Sequence, residues 1–120
     1  MAKRKARATK LSAPTTDYSS PHGEVLTLRG SLTAPSRAQY ARITSGEDLA
    51  PAGTREDAWH RAMEFLFERL VVRWSVAGTP IERQGELLKR LRVASGEERD
   101  WIRSVLREHC AEHFPDVKAP

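Results

Sequence analysis

Long apolar runs are missing from this chain of 120 residues. No stretch approaches the roughly 18 residues needed to span a bilayer, and the N-terminus lacks the apolar middle section of a secretory signal, so a cytoplasmic protein is expected. Cysteine is nearly absent: the single thiol, Cys110, excludes an internal disulfide and suits a reducing compartment. There is no Gly-rich phosphate loop, no nucleophile elbow and no paired-metal carboxylate pattern. Without such a constellation the sequence predicts no enzyme and no cofactor.

What is present is the composition of one soluble globular domain, with 39% hydrophobic and 30% charged residues. The net charge of +4 is unevenly placed. Lys3, Arg4, Lys5, Arg7 and Lys10 supply +5 before the first acid, Asp17, which leaves −1 for the rest. These five cations are the candidates for nucleic-acid contact, with a solvated start of the chain as the other reading. Residues 1 to 23 are basic and then rich in Ser, Thr and Pro, and are expected to form a disordered tail.

Residues 24 to 117 then read as a single helical domain. EVLTLRGSL, residues 24 to 32, alternates as a short strand or extended arm, with Leu26, Leu28 and Leu32 on one side and Val25, Thr27 and Arg29 on the other. A lone strand leaves its edges unsatisfied, so it pairs with another chain or lies against the helices. Helices are expected at about 34–44, 55–76, 80–92 and 96–113. Their signals are Thr33 with Pro35, Thr54 with Asp57, the TPIE start after Gly78, and the SGEE capping box at Ser95. The expected fold class is mainly α: a small bundle of about four helices preceded by a disordered basic tail and one short strand or arm.

The long helix from 55 to 76 dominates this reading. Trp59, Ala62, Met63, Leu66, Leu70 and Trp74 form one stripe, flanked by Phe67 and Val71 and widened by further apolar residues to about two thirds of the circumference. The other helices offer little apolar surface to cover it. Phe67, Val71 and Trp74, with Arg69 and Arg73 beside them, are therefore candidates for a partner-binding surface; a closed core is the alternative. In EHCAEH, His109 and His113 stand one turn apart with Cys110 adjacent. No second cluster completes a metal site, and solvated histidines beside a half-buried thiol are expected. Helix three, its turn and helix four outline a helix-turn-helix, but Glu97, Glu98 and Asp100 at the recognition end repel phosphate.

The span REDAWHRAMEFLFERLVVRWSVAGTPIERQGELLKRL, continued by ERDWIRSVLREH and FPD, resembles the small tail assembly proteins, or tail assembly chaperones, of long-tailed phages of actinobacterial hosts. The likeness lies in the helical pattern and in the tryptophan and G-x-P turn after the long helix. It implies a non-enzymatic protein of the bacterial host cytoplasm that binds the tape measure protein and keeps it soluble during tail morphogenesis, with homo-oligomers possible in that role. A structural tail or neck subunit whose strand 24–32 adds to a neighbour's sheet, and a small DNA-binding protein using the basic tail, are the competing expectations.

Overall fold

The computed structural model describes residues 14–45 and 55–120, the side chains of residues 55–57 excepted. In chain order the elements are β1 (Thr15–Ser19), β2 (Val25–Arg29), α1 (Ala34–Ser45), α2 (Arg55–Leu70), β3 (Val71–Val76), β4 (Thr79–Ile81), α3 (Gln84–Arg92) and α4 (Gly96–His113). The strands form one antiparallel sheet in the order β1-β2-β3-β4. The fold is therefore α+β, which corrects the expectation of a mainly α bundle.

Three differences produce that correction. Thr15–Ser19, inside the stretch expected to be a tail, pairs along its whole length with β2. The long helix stops at Leu70, and Val71–Val76 continues as a strand paired with β2. Thr79 and Pro80 belong to β4 rather than capping a helix, so α3 starts at Gln84. The five cations of the N-terminus, residues 46 to 53 and the expected cap Thr54 lie outside the described residues.

The helix-to-strand change follows from the residues themselves. VVRWSV is rich in β-branched and aromatic side chains, and β2 offers it a partner, so pairing overrides helical continuation. The register shifts between Thr27 and Leu28: Thr27 faces Arg73 while Leu28 faces Val71, leaving Val72 as an extra residue in a β-bulge. The bulge turns both Val71 and Trp74 toward the core. β3 and β4 then meet in a two-residue turn in which Ala77 and Gly78 have φ of 52° and 79°, the doubly left-handed geometry of a tight hairpin.

β2 is central and paired on both sides, so it has no edge to offer another chain. Its Leu26 and Leu28 point inward with Val71 and Trp74, and α2 packs Ala62, Leu66, Phe67 and Leu70 against the same layer. Leu87 and Leu91 of α3 and Ile102, Val105 and Leu106 of α4 complete the core. α4 starts as its sequence requires: Ser95 Oγ accepts from the Glu98 amide and Glu98 accepts from the Ser95 amide. After α4, Phe114 and Val117 are buried, Tyr40 donates to the Lys118 carbonyl, and Arg37 of α1 pairs with Asp116 at 2.9 Å. The C-terminal residues thus strap α4 to α1.

Candidate functional site

The sheet and α3 close over the residues expected to form a partner surface. Phe67, Val71 and Trp74 are 0%, 5% and 0% exposed, so the closed-core alternative is the one the fold adopts. Phe67 and Trp74 meet edge to face at 5.9 Å, and the Arg90 guanidinium lies 4.9 Å from the Trp74 ring. The two arginines separate. Arg69 is exposed and folds over Phe65 at 4.9 Å. Arg73 stands on the outer sheet face, donating to Thr27 Oγ1 at 3.4 Å and pairing with Glu82 at 3.6 Å.

Around Trp74 lies a polar cluster that sequence reasoning missed. Trp74 Nε1 donates to Glu24 Oε1 at 2.9 Å, and Arg90 Nη2 donates to Glu98 Oε2 at 2.5 Å. Burial pushes the Glu24 carboxyl above its ordinary range, while the Arg90 hydrogen bond holds Glu98 down at about 2. The two carboxyls interact, and their pKa values are displaced in opposite directions. Both are engaged by neighbours that hold α4 and α3 to the sheet, which makes this pair a latch between layers. Outside the latch a cavity of about 240 Å³ opens between the β1–β2 turn and the start of α4, with Trp101 and Glu97 among its lining residues.

The histidines behave differently from expectation. His109 is fully buried, its Nε2–H donating to the Arg29 carbonyl at 2.8 Å and its Nδ1 accepting from the Tyr18 hydroxyl at 2.8 Å. The carbonyl is an acceptor only, which fixes the tautomer. Both nitrogens are occupied and burial lowers the His109 pKa, so the ring has no free lone pair for an ion. Cys110 is buried and its thiol is pushed up to about 11. His113 stacks on His109 with ring centroids 4.4 Å apart.

A third feature lies on the helical side. Ile43 of α1, Phe65 of α2 and Leu88 of α3 floor a groove of about 230 Å³ whose walls carry Arg61, Glu64, Glu68 and Arg92. Arg92 and Glu64 face each other across it at 3.5 Å. α2 presents Arg61, Glu64 and Glu68 here; the groove itself was invisible in sequence because three separate elements supply its floor.

No protein-family model matches this chain, and comparisons with curated proteins and with solved structures return no match. Among the described residues no helix is long and apolar enough to cross a membrane.

Proposed function

We propose that this chain is a non-enzymatic assembly protein that holds an amphipathic helix of another protein, the tape measure protein of a phage tail, and keeps it soluble in the host cytoplasm until the tail tube forms. The observation that carries this reading is the groove between α1, α2 and α3. Its floor is apolar and its walls carry charges of both signs, the arrangement that receives one face of an amphipathic helix. Arg69, exposed and folded over the groove residue Phe65, is a further candidate contact. The resemblance of residues 55–91, 98–109 and 114–116 to tail assembly proteins supplies the partner's identity.

Co-expression with the tape measure protein of the same genome tests the reading. The expected result is soluble tape measure protein with the intact chain and its loss with Leu88→Glu, a half-buried groove position. Equal solubility with and without the chain contradicts it.

A further inference from the structure

Among the described residues the two outer strands of the sheet, β1 and β4, differ in how well their free edges are protected. β4 is three residues long with Pro80 at its centre, a combination that blunts pairing. β1 has five residues with no proline, no lysine and no bulge, and its one charge, Asp17, accepts from the Thr27 hydroxyl at 2.6 Å. The Gly30 amide donates to the Pro14 carbonyl at 2.7 Å and the Ser20 amide to the Glu24 carbonyl at 2.8 Å, so positions 14 and 20 face β2. By alternation along an antiparallel pair, the backbone groups of Thr15, Asp17 and Ser19 face outward.

Beyond the C-terminal end of this edge lies the 240 Å³ cavity, lined by Pro21, His22, Glu24, Glu97, Glu98 and Trp101. Glu97 is exposed at its rim, paired with the exposed His22 at 2.9 Å, and Trp101 offers a half-buried ring. An aromatic wall beside carboxylates suits a lysine or arginine, whose stem lies on the ring while its head meets the acids.

We propose that a second copy of this chain pairs antiparallel along β1 and places its basic N-terminal residues in this cavity. Antiparallel pairing of identical edges closes on a twofold axis and needs no other partner. It sets Thr15 of one copy alongside the end of β1 in the other, so the residues before Thr15 run on past Ser20 toward Glu97. Those residues carry Lys10, Arg7, Lys5, Arg4 and Lys3 with no acid among them. The stretch from Lys10 to Thr15 spans about 17 Å when extended, long enough to pass the β1–β2 turn. Parallel pairing would send the same cations away from the acids, so charge selects the antiparallel arrangement. A register centred on Tyr18 places Asp17 opposite the partner's Ser19 and avoids a like-charge pair. The contact uses a different face from the α1–α2–α3 groove and stands independently of the function proposed above.

Sedimentation of the full chain from about 1 to about 100 μM, at low and high salt, tests this contact. The expected result is a dimer whose dissociation constant weakens about tenfold or more in high salt, in Glu97→Lys, and in the triple variant Lys5→Gln, Arg7→Gln, Lys10→Gln. Combining Glu97→Lys with Lys5→Glu, Arg7→Glu and Lys10→Glu restores dimerisation. Hydrogen exchange then shows protection of the Asp17 and Ser19 amides that rises with concentration. A monomer throughout this range, a dimer indifferent to these charges, or Asp17 and Ser19 amides that exchange equally at all concentrations overturns the proposal.

Discussion

Individual side chains decide where this fold is sensitive to pH. His109 is buried as a neutral ring, with its folded-state pKa below the ordinary value. The unfolded chain therefore takes up the extra proton, and stability falls as the pH drops through the ordinary histidine range, from about 7 to about 5. His109→Leu removes that dependence and costs about 2–3 kcal/mol, because the Tyr18 hydroxyl and the Arg29 carbonyl lose their partner; urea unfolding at both pH values measures each effect. Glu24 and Glu98 act in opposite senses. The Glu98 carboxyl is lowered, so its contribution is present above the ordinary carboxyl pKa and is lost as pH falls toward 2. The Glu24 carboxyl is raised, so its contribution is lost as pH rises through its folded value. Glu24→Gln keeps the acceptor for Trp74 Nε1 without a titrating proton, and should raise stability near neutral pH by about 1 kcal/mol. Glu98→Gln should lower it by about 2 kcal/mol, since Arg90 loses its charged partner; thermal melts of the two variants distinguish the signs.

At the scale of elements, the β3–β4 turn holds Ala77 in the left-handed region, which an L side chain with a Cβ adopts at a cost of about 1 kcal/mol. Ala77→Asn, the residue favoured at that turn position, should recover about 0.5–1 kcal/mol and raise the melting temperature without moving β3 or β4. The same turn explains why part of the fold was hidden in the sequence. Gly78 followed by Thr79 and Pro80 is equally a helix stop with a new helix start and a hairpin turn, and only pairing partners choose between them. Val71 and Trp74 stand three residues apart, the spacing of a helical stripe; the bulge at Val72 gives a strand the same phase. β1 was hidden because Thr-Thr-Asp-Tyr-Ser has a single large side chain to bury, and its burial depends on His109, ninety-one residues away. Where the signal was local it held: the capping box at Ser95 and the inward-facing Leu26 and Leu28 are both found in the structure.

For the molecule as a whole, closing the core over Phe67, Val71 and Trp74 removes the surface that the apolar arc suggested, and two other features of the described residues carry the proposals. One is the groove floored by Ile43, Phe65 and Leu88, which lies across three elements; the other is the open edge of β1 with its acidic cavity. Neither was legible beforehand, because each is assembled from residues distant in the chain. Of the predicted surface, Arg69 stays exposed and folds over Phe65, while Arg73 turns to the outer face of the sheet. The groove is the basis of the proposed role, and its occupancy is directly observable. Titrating the isotopically labelled chain with a helical segment of the tape measure protein, and following its amide resonances, is the most direct test. The account predicts saturable shifts centred on Ile43, Phe65, Leu88 and Arg69, abolished by Leu88→Glu. Shifts elsewhere with the groove unperturbed, or none at any peptide concentration, would contradict it.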